Sequence, residues 1–269
     1  MHFDETMATH GTTERPPVEA IQSDGAATVS SALDHAAYVQ DVSVVDTIII
    51  SDLHLGAKVA RARQVLETLA RYSFRRLILN GDVFDDLNFK RLKADDWKFL
   101  SYVRKMSHPR HNVDVVWVIG NHDGGVADVL SHLLGVAVHE EYVFEVAGQK
   151  HLAIHGHQFD RWVRNRVVIT AIATALYTML QAVDRKRRVS RWVKRTSKKL
   201  LRMGDAVGTA ATKHGKHRHD VDCVHCGHTH IPHESIINGI RYINSGSWTD
   251  SPSQYVTITV DGVVTIHHV

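Results

Sequence analysis

From Asp46 onward the apolar residues come in two alternating rhythms. Short β-branched runs, four to seven residues long, end in polar loops. Longer stretches between them repeat their apolar positions at helical spacing. Strands are predicted at 46–51, 76–80 and 113–119. Helices follow each of them, near 58–72 (Val59, Ala62, Leu66, Leu69, Ala70), 95–107 (Trp97, Leu100, Val103) and 126–134. A hairpin comes next, 142–147 and 150–155, turning at Gly148-Gln149. The chain closes with strands near 221–226, 233–237, 240–244, 254–260 and 263–268, separated by turns such as Asn238-Gly239 and Asp261-Gly262. Strand-helix alternation followed by a run of strands predicts a layered α/β domain.

Two segments break the rhythm. Residues 1–43 are rich in Thr, Ser, Ala, Gly and acids, carry Pro16-Pro17 and show no sustained period, so a polar disordered tail is expected there. The domain proper spans 44–269. Within it, about 158–220 is too long for a simple connection and is expected to form a helical insert. That insert holds 16 Lys/Arg against four Asp, so it is strongly positive and the rest of the chain is negative. Val167 to Val183 is nearly all apolar, with a stripe of Thr170, Thr174, Thr178 and Gln181. Arg185 to Met203 follows as an amphipathic pattern, with Val189, Trp192, Val193, Leu200 and Met203 on one face and Arg187, Arg188, Arg191 and Lys194 among the basic residues around it.

Basic amphipathic helices of this kind lie on anionic membrane surfaces. A charge run is usually only a solvated face, but ten basic residues between 185 and 202 exceed what that accounts for. A membrane span is disfavoured by the polar stripe, and a nucleic-acid groove is the third reading. A membrane-facing cap that binds an anionic surface through Arg187, Arg188, Arg191 and Lys194 is the expectation. Net charge over all 269 residues is only +3 and identifies no partner. No positive segment leads into an apolar one at the start, so a cytoplasmic protein, peripheral on the inner membrane, is expected. The two cysteines, Cys223 and Cys226, have the spacing of a redox pair or half a zinc site; with no second pair, small buried residues are expected instead.

The chemistry gathers at strand ends. Gly81 lets the chain turn after the 76–80 run and sets Asp82 at its carboxyl end, the edge where α/β sheets bind ligands. The other apolar runs end likewise: Asp52-Leu-His54, Gly120-Asn121-His122-Asp123, His155-Gly-His157 and Gly227-His228-Thr-His230. Carboxylate, amide and imidazole donors suit Mn, Fe, Zn or similar cations. Asp82 has two oxygens and is the candidate bridge between two of them.

These five blocks, in this order, resemble the calcineurin-like metallophosphoesterase superfamily. The resemblance implies a four-layer α/β/β/α sandwich of two facing mixed sheets, with the basic insert as a helical cap. It implies two divalent metal ions, Mn foremost with Fe or Zn as alternatives. Asp52, His54, Asp82 and His230 would hold one; Asp82, Asn121, His155 and His228 would hold the other. His122 matches the family's catalytic histidine, Asp123 is expected to orient it, and Asp85 is expected to support the site from behind. His157 stands where many relatives have Asp.

Within the superfamily the chain looks most like the UDP-2,3-diacylglucosamine hydrolases. Ser51-Asp-Leu-His-Leu-Gly, Gly81-Asp-Val-Phe-Asp, the Phe159-Asp160 pair, the insert after it and Asn244-Ser-Gly-Ser-Trp248 carry that likeness. It implies a lipid-linked pyrophosphate as substrate, in lipid A biosynthesis. His122 and His157 depart from that branch, which has Arg and Asp there. A phosphodiesterase or phosphatase on another phospholipid or nucleotide, or a nuclease, is the alternative; a scaffold without catalysis fits least, because no ligand is missing.

Overall fold

The computed structural model describes residues 42–125, 127–160 and 197–269, with side chains from 205 in the last stretch. Arg187, Arg188, Arg191 and Lys194, and the tail up to residue 41, lie outside the described residues.

Eleven strands form two sheets, and four helices are present among the described residues. The first sheet has the order β11-β10-β1-β2-β3-β4. It is built from β1 (Ser43–Ile50), β2 (Tyr72–Asn80), β3 (Asp114–Val118), β4 (Ala137–His139), β10 (Gln254–Ile258) and β11 (Val264–His268). The strands from β1 to β4 are parallel, while β10 and β11 close the other side antiparallel. The second sheet has the order β5-β6-β7-β9-β8, from β5 (Glu141–Val146), β6 (Gln149–Ile154), β7 (Cys223–Cys226), β8 (His233–Ile237) and β9 (Ile240–Asn244). There β6, β7 and β9 are parallel.

Side-chain alternation along the strands sorts the core into layers. Ile48 and Ile50, Leu77 and Leu79, and Val115 and Trp117 face the helices α1 (Ala62–Leu69), α2 (Ala94–Met106) and α3 (Ala127–Leu134), where they meet Val65, Leu69, Phe99 and Leu134. The residues between them, Ile49, Ile78 and Val116, face the second sheet and pack on Phe144, Val146, Ala153 and Ile243. On its far side, Leu152, Ile154, Val224 and Tyr242 pack against α4 (Ser197–His219). Two sheets with helices outside both make the expected four-layer sandwich.

Four elements differ most from what the sequence predicts. The strand β2 starts at Tyr72 and α1 is correspondingly shorter. The start of β2 is disguised by Arg75 and Arg76, which look like surface residues; Arg75 Nε pairs with Asp46 at 2.8 Å and Arg76 Nε with Asp114 at 3.4 Å, both across neighbouring strands. The three-residue β4 is too short to announce itself. The helix expected to end at Met203 runs on to His219, and its last half lies against the second sheet. Val207 and Ala211 are buried there, and Gly208 and Gly215 let the helix approach Tyr242 and Val224, which a β-carbon at either position would crowd. A segment with three Gly and three His between 204 and 219 carries little helix propensity of its own. Tertiary packing on a small-residue face makes it a helix.

Candidate metal centre

In each sheet the parallel strands end at the same edge. The loops there are tied to one another by backbone hydrogen bonds: Asp52 N donates to Gly81 O and His54 N to Asp82 O, both at 3.0 Å, and Gly227 N donates to His155 O at 3.1 Å. Across the two sheets, Ser51 Oγ and Ser245 Oγ lie 2.7 Å apart and Asn80 Nδ2 donates to His225 O at 3.2 Å. Five of the sequence-predicted ligands, Asp52, His54, Asp82, His228 and His230, have left-handed backbone, with φ between 45° and 65°. Such a conformation costs a non-glycine residue on the order of 1–3 kcal/mol and persists only where the surroundings over-determine it. Here it turns each side chain back over the strand end.

The glycines before the ligands answer to space as well. Gly81 has φ +85°, and a β-carbon there would run into the His155 ring; one at Gly227 would overlap the Asp52 carboxylate.

The side chains converge on Asp82. Its Oδ1 accepts the backbone N–H of His122 at 2.9 Å. Its Oδ2 faces Nε2 of His155 at 3.4 Å, of His54 at 3.8 Å and of His122 at 4.0 Å. The imidazoles thus concentrate on Oδ2, while the loop after β3 anchors Oδ1. Burial alone would raise the Asp82 pKa, but His155 foremost, with His122 and His54, holds it well below the carboxylate range. Asp52 is fully buried. Its two oxygens accept His228 N–H at 3.2 and 3.1 Å, and Oδ1 lies 3.2 Å from His230 Nε2. Burial opposes its ionisation too, and His230 more than reverses that.

Asp52, His54, Asp82 and His230, one predicted set, are therefore together; His54 Nε2 and His230 Nε2 are 3.1 Å apart. The other set is half assembled. Asp82 and His155 meet, but His228 Nε2 sits 3.2 Å from Asp160 Oδ2, with its ring 5.4 Å from that of His155, and Asn121 is exposed on the loop after β3. Asp160 is a partner the sequence reading had not assigned to the site. His157 lies half-buried with its ring 5.5 Å from His155 and 6.3 Å from His228, and burial pushes its pKa down to about 4.

His155 tests whether these residues fit a cation. Its Nδ1 is 2.9 Å from the Asn80 carbonyl, which can only accept, so the proton is on Nδ1. In the neutral ring Nε2 then offers a lone pair, fully buried and without a hydrogen bond, toward a carboxylate oxygen. Two electron-rich atoms held face to face require a cation between them. A proton can serve, and Asp82 accordingly raises the His155 pKa to about 9 against the effect of burial. A divalent ion satisfies the same lone pairs, so the residues fit the group.

Asp123 requires a correction. It was expected to orient His122, but it is wholly buried and turned away. Its Oδ1 accepts Phe84 N–H at 3.2 Å, and its Oδ2 accepts Gly120 N–H at 3.0 Å and the Trp117 indole at 3.3 Å. Burial, with the charge of Asp82, raises its pKa to about 6. It clamps the loops after β2 and β3. His122 is held by Asp85 instead, whose carbonyl oxygen lies 2.6 Å from its Nδ1. The Asp85 carboxylate stands 3.6 Å from His54 Nδ1 and is paired with Arg91 at 2.8 Å, so the expected support from Asp85 is there in two forms.

A sequence profile described as the calcineurin-like phosphoesterase superfamily domain matches residues 45–262, which include every one of these loops. The chain belongs to this superfamily. As a calcineurin-like phosphoesterase it is a metal-dependent phosphoesterase of a family that uses a dinuclear divalent-metal site, and the groups Asp52, His54 and His230, and Asp52, Asp82 and His155, are candidate ligand clusters. Among curated proteins no sequence matches. Solved structures that resemble this phosphoesterase include a hypothetical protein from Pyrococcus horikoshii, 10% identical over 84% of this chain and 88% of its own, with a TM-score of 0.49. An archaeal phosphodiesterase is 12% identical over 83% and 99%, with a TM-score of 0.45. Vps29 from Entamoeba histolytica, complexed with zinc, is 16% identical over 83% and 97%, with a TM-score of 0.40.

Proposed function

We propose that this phosphoesterase hydrolyses the pyrophosphate of a lipid-linked nucleotide sugar, UDP-2,3-diacylglucosamine or a closely similar molecule, at the surface of the inner membrane. Mn is the proposed native metal. The observation that carries the reading is that the sequence places a strongly basic, partly apolar insert, about 158–220, between two ligand blocks of a phosphoesterase site, His155 and His228. An anionic, acylated substrate offers a partner for both halves of that insert.

Two divalent cations, when bound, supply Lewis acidity toward the phosphoryl oxygens and the attacking water. Asp52, His54, Asp82 and His230 would hold one of them, and Asp82, Asn121, His155 and His228 the other. The rest falls to the protein's own groups. Because the Asp85 carbonyl fixes the proton of His122 on Nδ1, Nε2 is the atom turned to the site. As an imidazolium it donates a hydrogen bond to the phosphoryl group or a proton to the leaving oxygen, and as a neutral ring it accepts one. Its ring is partly exposed, at the rim where a leaving group departs. Asp123 keeps that loop in place from below.

A turnover screen with Mn against UDP-diacylglucosamine, bis-p-nitrophenyl phosphate, nucleotides and single-stranded DNA tests the substrate. The reading expects the acylated sugar nucleotide to be the best of these; preference for DNA would overturn it in favour of a nuclease. Changing Arg187, Arg188, Arg191 and Lys194 together to Gln should abolish liposome binding in a salt-dependent way, since each basic residue near an anionic surface contributes about 1 kcal/mol. Turnover of the soluble diester should be unchanged. An equal fall in both activities would refute the cap role.

A further inference from the structure

A second group of metal-ligand side chains lies away from the active-site edge, inside the sandwich. His151 on β6 and Cys223 and His225 on β7 all point into the space between the sheets. The register places His151 opposite Cys223, and His225 two residues further along the same face. Their exposures are 0%, 2% and 0%. Cys226 falls on the opposite face, in the cluster under α4, so the two cysteines cannot act as a pair. Around the three residues the inter-sheet core is apolar, with Phe144 stacked on His151 at 5.1 Å and on His225 at 6.1 Å.

Hydrogen bonding alone does not account for the arrangement. His225 Nε2 stands 3.1 Å from His151 Nδ1 and 3.5 Å from Cys223 Sγ. In either tautomer Nε2 has one lone pair or one N–H, enough to pair fully with only one of these neighbours. His151 Nε2 and His225 Nδ1, also buried, have no hydrogen-bond partner. Three polar groups thus meet in an apolar layer where burial of an incompletely paired group is costly. Three donors around one ion, at the usual metal–nitrogen and metal–sulfur lengths, stand about 3.5 Å from one another. The two separations from His225 Nε2 are close to that, and the three ligand atoms all lie within 4.8 Å of one another.

We propose that His151 Nδ1, Cys223 Sγ and His225 Nε2 form a second, interior metal site that takes one soft monovalent cation of the Cu(I) class. A ligand set of one thiolate and two imidazoles suits copper and zinc over harder cations. Charge selects the oxidation state. A monovalent ion replaces the thiol proton, which leaves for solvent, and the site remains neutral; a divalent ion would leave a net positive charge between two sheets of aliphatic side chains. The site is independent of the phosphoesterase chemistry, which uses harder donors at the sheet edge.

The experiment is anaerobic titration of the full chain with bicinchoninate-buffered Cu(I), added to the folded protein and, in parallel, during refolding. Wild type and Cys226→Ala should each retain one more equivalent of Cu(I) than Cys223→Ala, show thiolate-to-copper absorption in the ultraviolet, and melt several degrees higher with the metal than without it. His151→Phe, which fills the same space with an apolar ring, should lose the same equivalent. Circular dichroism and turnover of bis-p-nitrophenyl phosphate identify any variant that fails to fold. Equal retention by Cys223→Ala and wild type, or no retention by either route, overturns the proposal. A Cys223-dependent equivalent of Zn(II) in place of Cu(I) overturns the monovalent assignment.

Discussion

His155 Nε2 lies 3.4 Å from Asp82 Oδ2 while Nδ1 of the same ring is fixed by the Asn80 carbonyl. The pair is buried, and its orientation is set by backbone, so it cannot relax away from a missing charge. Asp82→Ala should remove the oxygen on which His54, His122 and His155 converge. Bound metal, measured by elemental analysis, should fall to background. Turnover should fall by well over the roughly 10–100-fold lost when a supporting residue of a metal site is removed. Two retained metals with near-normal turnover would refute the convergence on Oδ2.

His122 touches the site from the rim and is not needed to hold its shape. In His122→Ala the metal content should be unchanged, while turnover drops roughly 10²–10⁴-fold, the scale of a lost general acid or base. Parallel loss of metal would make His122 a ligand instead.

Asp123 acts on stability first. Asp123→Ala leaves the Phe84 and Gly120 amides and the Trp117 indole without their buried acceptor, a cost on the order of 3 kcal/mol. A lower midpoint in urea denaturation should therefore accompany any loss of turnover. A variant as stable as wild type, with only its rate changed, would restore Asp123 to a direct role beside His122.

Gly227 is fixed by contact with Asp52. Gly227→Ala should displace that carboxylate and cost both metal affinity and turnover, with little change in far-ultraviolet circular dichroism. Full activity in this variant would mean that the β7 loop has room the structure does not provide.

Glu141, at the start of β5, accepts hydrogen bonds from His214 at 2.6 Å and His219 at 3.0 Å and so fastens α4 to the sheet. Burial raises its pKa, and these two bonds more than offset that, so the folded value lies below the ordinary one. The stabilisation is complete above the unfolded pKa of roughly 4.3 and is lost as pH falls through the folded value. Glu141→Gln should thus melt a few degrees lower than wild type at pH 7, and the difference should close in acid. A gap that persists below pH 3 would assign the effect to packing.

Sequence alone determined the layers and the position of the chemistry. Ile48, Ile49 and Ile50 are alike in composition, yet a period of two assigns them alternately to the helix-facing and inter-sheet cores. A glycine followed by Asp82, Asn121 or His228 at the end of an apolar run marks the sheet edge, because those signals are local to a few residues. Only the tertiary structure decided what each polar group touches. It turned Asp123 away from His122 and toward three amide and indole donors, set Asp160 against His228, and brought His151 to Cys223 across 72 residues. It also made a helix of a Gly- and His-rich segment whose own preference is weak. The physical reason is common to these cases: hydrogen bonds and close packing depend on partners distant in the chain, and no local pattern encodes them.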